Sequence, residues 1–139
     1  GRYEPMRQSE MRRADGILKE FSELLVKHVK TETSVGFYAG KLCISKQYLS
    51  LIVKEKLRVT IGTVISSMRI EVAARMLRDP ELTIQQVAEA LSFSDQSSFG
   101  KFFKKHTGLS PLKYRQNLKK TLLTLRPKEV LSPEIRNLG

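Results

Sequence analysis

Gln96, Ser97, Gly100 and Lys101 lie one helical turn apart in two pairs, and Phe99, Phe102 and Phe103 fill the positions between and after them. On a helix of 3.6 residues per turn the phenylalanines face a core and the other four face outward. Those four suit the reading of base edges, since a glutamine amide pairs with adenine and a lysine reaches guanine O6 and N7. Lys104 and Lys105 continue the surface as contacts to phosphate, which add affinity without specificity. An earlier stretch has the same arrangement. With Leu49, Ile52 and Val53 inward, Lys46, Gln47, Ser50 and Leu51 are the candidate readers, and Tyr48 and Lys54 the candidate backbone contacts. Ser34 and Thr83 each begin a helix where a hydroxyl and free amides suit a phosphate, or serve as N-caps alone.

Other chemistry is poorly provided for. His28 falls on an apolar helix face and His106 beside a basic helix end, with no Cys, His or carboxylate cluster at metal-ligand spacing. No nucleophile and base pair and no glycine-rich phosphate loop is recognisable. The expectation is a protein that is not an enzyme and takes no metal or cofactor.

The composition agrees with an anionic partner. The 139 residues include 25 Lys and Arg against 14 Asp and Glu, a net charge of +11. From Gln96 to Lys128 there are nine basic residues and no acid, where a merely soluble surface would mix both signs. The 40% hydrophobic content is enough for one domain or two small ones, without room for a large enzyme pocket as well. The single cysteine, Cys43, excludes an internal disulfide, fits a reducing cytoplasm and reads as a core residue. Apolar runs such as Leu51 to Val53 are too short for a membrane-spanning helix, and no signal peptide is evident. Because the chain begins at Gly1 and not at Met, an excised fragment of a longer protein is expected.

The elements that must position the outward residues are all helices. Residues 1–16 show little periodicity and read as a linker or N-terminal extension. Ile17, Leu18, Phe21, Leu24, Leu25, His28 and Val29 form one helical face. Ser34 caps a second helix bearing Val35, Tyr38, Ala39 and Leu42, and Ser45 caps a third. A long helix follows from Thr60 to about Arg78, stopped by Asp79 and Pro80. Thr83 and Asp95 cap the next two helices, Gly108 ends the second of them in the left-handed conformation, and Ser110-Pro111 opens a last helix through Tyr114 and Leu118. Tyr114 and Arg115 serve either to hold that helix or to touch DNA.

The pattern occurs twice. Ser34 to Leu42 matches Thr83 to Leu91 at an offset of 49, and beyond one extra residue Leu49, Ile52 and Val53 match Phe99, Phe102 and Phe103 at 50. Each copy has two short helices, a tight turn and an inward alanine, Ala39 or Ala88, that allows close steep packing. This is a helix-turn-helix, whose second helix enters a major groove. The expected organisation is all-α, about seven helices: a first helix-turn-helix subdomain at 17–59, a linker helix at 60–79, a second subdomain at 80–120 and a C-terminal tail at 121–139. The linker, at about 28 Å, would let the recognition helices reach adjacent major grooves roughly 34 Å apart.

The stretch Ser92-Phe93-Ser94-Asp95-Gln96-Ser97-Ser98-Phe99-Gly100-Lys101-Phe102-Phe103-Lys104-Lys105, followed by Thr107-Gly108-Leu109-Ser110-Pro111-Leu112-Lys113-Tyr114-Arg115, resembles the signature of the AraC/XylS transcription regulators. The resemblance runs from about Ile17 to Leu118. It implies a seven-helix domain that binds double-stranded promoter DNA in the cytoplasm, at the nucleoid, and usually activates transcription through RNA polymerase. It also implies a separate sensor or dimerisation domain on the N-terminal side. Two residues depart from the pattern. Arg58 stands where the family has a glycine matching Gly108, at a cost of roughly 1 kcal/mol if left-handed. Leu51 is the counterpart of Lys101 and cannot donate a hydrogen bond, though it can press on a thymine methyl. The competing reading is a helical protein-interaction adaptor that has lost specific DNA binding.

Overall fold

A computed structural model describes the backbone of residues 7–124 and the side chains of residues 7–120. Its seven helices are α1 (Gln8–His28), α2 (Val35–Lys41), α3 (Lys46–Leu57), α4 (Ile61–Leu77), α5 (Ile84–Ala90), α6 (Gln96–Thr107) and α7 (Pro111–Thr124), with no strand among the described residues. Two compact units meet within α4, one ending at Arg69 and the other starting at Ile70. The long linker helix expected from the sequence is therefore α4, and each unit takes part of it.

In the first unit, α1 buries Ala14, Ile17, Phe21 and Leu25. The helix begins at Gln8, so much of the stretch read as an extension is helical. Ala14 continues the apolar stripe one turn earlier than Ile17, but a single small residue among Arg12, Arg13 and Asp15 gives little periodic signal. The α2–α3 pair closes beneath α1 with Tyr38, Ala39, Leu49, Ile52 and Val53 buried. Tyr38 packs edge-on to Phe21 at 5.5 Å, and its hydroxyl donates to the Glu32 carbonyl at 2.7 Å. Burial, with Glu32 nearby, pushes its pKa up.

The second unit packs Ala73 and Leu77 of α4 with Val87, Ala88, Leu91, Phe99 and Phe103, and Tyr114 of α7 leans against this cluster. Fully burying a side chain of the size of Phe99 or Phe103 contributes about 1.5–3 kcal/mol, before the entropy of ordering it. Phe102, expected inward with them, is half-buried, its ring between Phe93 at 5.2 Å and His106 at 4.7 Å.

The repeat extends to backbone hydrogen bonds. After α2, Cys43 N–H donates to Gly40 O at 3.1 Å and Ile44 N–H to Ala39 O at 3.0 Å. After α5, Ser92 N–H donates to Glu89 O and Phe93 N–H to Ala88 O, both at 3.0 Å. This paired pattern is the Schellman ending, which requires a left-handed residue just past the cap. Cys43 and Ser92 occupy it at φ 56° and 63°. Cys43 is accordingly exposed in a turn and is not the core residue expected from its apolar neighbours. Both recognition helices end left-handed as well, with Arg58 at φ 62° and Gly108 at φ 85°, as the repeat implied. Helix α7 continues to Thr124, past Leu118 and into the expected tail. Residues 1–6 of the expected extension and 125–139 of the expected tail lie outside the described residues.

Candidate nucleic-acid interface

The second recognition helix is fixed at both ends. Asp95 caps α6, its Oδ1 accepting from Ser98 N–H at 2.7 Å, and this backbone hydrogen bond foremost holds the carboxyl below the usual aspartate range. At the far end the Thr107 hydroxyl donates to Phe103 O at 2.8 Å and accepts from Leu109 N–H at 3.2 Å. With Phe99 and Phe103 fully buried, the opposite side shows Gln96, Ser97, Lys101, Lys104 and Lys105 exposed and Gly100 partly exposed. A Cβ at Gly100 would stand 4.0 Å from Pro111 Cδ, an ordinary contact distance, so space alone does not require glycine there. No acidic side chain lies on α6 itself.

Helix α7 supports this surface through two residues whose role the sequence left open. Tyr114 packs edge-on to Phe103 at 5.3 Å. Arg115 donates from Nε to Leu77 O at 2.9 Å and from Nη2 to Asp79 O at 3.2 Å, satisfying carbonyls at the end of α4. Both hold α7 in place.

In the first unit, Ser45 caps α3 by accepting from Tyr48 N–H at 3.0 Å. Lys46, Gln47, Leu51 and Lys54 are exposed, with Leu51 retaining 56% of its surface, and Ser50 and Tyr48 are partly exposed. A shallow open groove is lined by Ser34, Val35, Gly36, Lys46, Gln47 and Ser50. It brings the helix-start hydroxyl Ser34 beside three of the four candidate readers. Ser34 Oγ accepts from Phe37 N–H at 3.2 Å. Thr83 forms a reciprocal cap with Gln86, its Oγ1 accepting at 3.0 Å and its N–H donating to Oε1 at 2.8 Å. N-capping is therefore established for both.

Two arginines beside the site carry no signal in the sequence. Arg69, buried at 5% exposure, donates from Nη1 to Val29 O at 2.6 Å and to Lys30 O at 3.3 Å. Burial lowers its pKa. It grips the end of α1 as Arg115 grips the end of α4, but an arginine inside an apolar helical stretch carries no spacing that announces this. The other is Arg13, whose guanidinium lies over the Tyr48 ring at 5.6 Å, on a segment read as an extension.

Among the described residues no group of three or more His, Cys, Asp or Glu is placed to hold a metal, and no helix is long and apolar enough to cross a membrane.

Two capped helix-turn-helix units, each presenting a polar or basic second helix, define the class: an all-α double helix-turn-helix domain. The family model described as a helix-turn-helix domain matches residues 38–117. The chain belongs to this family, as a DNA-binding domain of the AraC/XylS transcription regulators. It is 34% identical over 79 residues to the probable transcription factor PqrA of Proteus vulgaris, covering 57% of this chain and 65% of that protein. It is 38% identical over 78 residues to the F1 operon positive regulatory protein of Yersinia pestis, covering 56% of this chain and 25% of that protein. Among solved structures, the C-terminal domain of AraT, a response regulator from Geobacillus stearothermophilus, superposes with a TM-score of 0.68 at 30% identity, covering 73% of this chain and 84% of that one. The chain spans less than two thirds of the length of curated relatives it matches, 15% of one and 29% of another.

Proposed function

We propose that the chain binds a specific double-stranded promoter sequence, with α6 and α3 each entering a major groove and the two grooves adjacent, and that it activates transcription through RNA polymerase. The observation that carries this reading is the outward face of α6. Gln96, Ser97, Gly100 and Lys101 form a surface fit for base edges, Lys104 and Lys105 flank it for phosphates, and no acid interrupts the helix. On α3 the same roles fall to Lys46, Gln47, Ser50 and Leu51 as readers, with Lys54 and Tyr48 toward the backbone. Ser34 and Thr83 add phosphate contacts through the helices they cap. Activation is supported by the positive regulatory role in the name of the Yersinia pestis relative. A sensor or dimerisation domain on the N-terminal side, and residence at the nucleoid, belong to the same reading.

Selection of bound duplexes from a random library tests it directly. Two preferred blocks about one helical turn of DNA apart are expected, and a footprint confined to one groove would remove the adjacent-groove part. A promoter bearing the selected site should gain transcription by purified RNA polymerase when the protein is added. Failure to enrich any sequence, with binding insensitive to salt, would favour a helical protein-interaction adaptor instead.

A further inference from the structure

We propose that Arg13 of α1 is a phosphate-binding residue of the first unit, held over the Tyr48 ring at the flank of the first recognition helix. This rests on the DNA-binding reading and adds a contact from outside both helix-turn-helix motifs. Tyr48 is the third residue of α3. At 100° per residue it lies between the outward side carrying Gln47 and Leu51 and the buried side carrying Leu49 and Ile52. A recognition helix in a major groove turns its exposed face to the bases and has phosphate backbones along its flanks. The Arg13 guanidinium carbon, 5.6 Å from the Tyr48 ring centroid, is held at that flank. A guanidinium held over an aromatic ring by its charge still has N–H donors to offer to phosphate oxygens.

The local charges favour the same partner. Asp15 forms a 2.9 Å salt bridge with Lys56, so these two largely neutralise each other. The Glu10 carboxylate accepts from Arg7 N–H at 3.3 Å at the start of the helix. Arg13 itself is exposed and forms no salt bridge with a described residue, and Arg12 beside it is exposed as well. With Asp15 paired to Lys56, Arg12 and Arg13 face only Glu10 in the first half of α1, beside a recognition helix on which one of the four candidate readers, Leu51, is apolar.

The test compares the whole chain with Arg13→Ala and Arg13→Lys by fluorescence anisotropy, using the library-selected duplex and a scrambled duplex across a salt series. Arg13→Ala is expected to weaken both duplexes by a similar factor, about 3- to 10-fold, and to flatten the slope of log K against log salt by about 0.9, the share of one phosphate. Arg13→Lys should keep the slope and lose part of the affinity. In a Tyr48→Leu background the loss from Arg13→Ala should shrink, because the ring no longer holds the guanidinium. Unchanged affinity and slope in Arg13→Ala would overturn the proposal. So would a lower melting temperature with an unchanged slope, which would make Arg13 a packing residue only. If the unmodified chain binds neither duplex, the DNA-binding reading fails; if it binds and Arg13→Ala matches it, only this proposal does.

Discussion

Lys101 and Leu51 stand at equivalent places on the two recognition helices, and in the proposed DNA-binding mode their different chemistry would divide the labour between them. A lysine can reach two acceptors on guanine, whereas an exposed leucine offers only contact with a thymine methyl. Lys101→Ala should therefore reduce affinity for the selected duplex more than Gln47→Ala, by about 5- to 150-fold if one base contact of roughly 1–3 kcal/mol is lost. Equal losses would show that both units read sequence alike. Asp95 adds a dependence on pH. Its carboxyl is depressed in the folded state by the Ser98 hydrogen bond. The stability it supplies is thus complete above the ordinary aspartate value of about 3.9 and disappears as pH falls through the lower folded value. Asp95→Asn keeps an acceptor without a charge, so its melting temperature should fall less than that of the parent over this acid window. At this scale the sequence was a good guide to capping, since Ser34, Ser45, Thr83 and Asp95 all precede apolar runs and all cap. It misled at Cys43, because the left-handed turn there lacks the glycine that normally marks one.

Among the elements, the helix ends are where stability is most adjustable. Arg58 adopts αL at φ 62° with its N–H on Lys54 O at 3.0 Å, a conformation glycine takes without the Cβ penalty. Arg58→Gly is expected to leave the melting temperature unchanged or raise it by the equivalent of up to about 1 kcal/mol, and a clear fall would contradict the geometry. The opposite is expected of Arg69→Met. Removing a charged donor from the Val29 and Lys30 carbonyls just past the end of α1 should cost about 1.5–3 kcal/mol, read as a lower denaturation midpoint. The helices themselves were legible from their 3.6-residue stripes, and the repeat fixed both helix-turn-helix units to within a residue or two. The start of α1 was not, because Ala14 buries too little to stand out among charged neighbours. Arg69 was hidden for a related reason: its partners are backbone carbonyls 39 and 40 residues earlier, which no local pattern reveals.

For the whole molecule, the net charge of +11 predicts how binding responds to its surroundings. A chain neutralising six to ten phosphates should lose about 10³- to 10⁵-fold in affinity between 50 and 200 mM salt, measurable by titrating one duplex at several ionic strengths. The all-helical class, the duplication and the acid-free basic run from Gln96 to Lys128 are all legible in the sequence. The division of the chain at Arg69 and Ile70 is not, since α4 runs through it as one helix with no glycine, proline or capping residue there to mark a boundary. That division has a practical side. Arg69, near the middle of α4, completes the first unit by gripping the end of α1, while the carbonyl of Leu77, at the far end of α4, is gripped by Arg115 in the second. Cutting at the boundary would leave each piece with a helix of about half length, and short isolated helices are marginal in water. The smallest autonomous pieces should therefore overlap in sequence, residues 7–79 and 60–124, each carrying its own complete copy of α4.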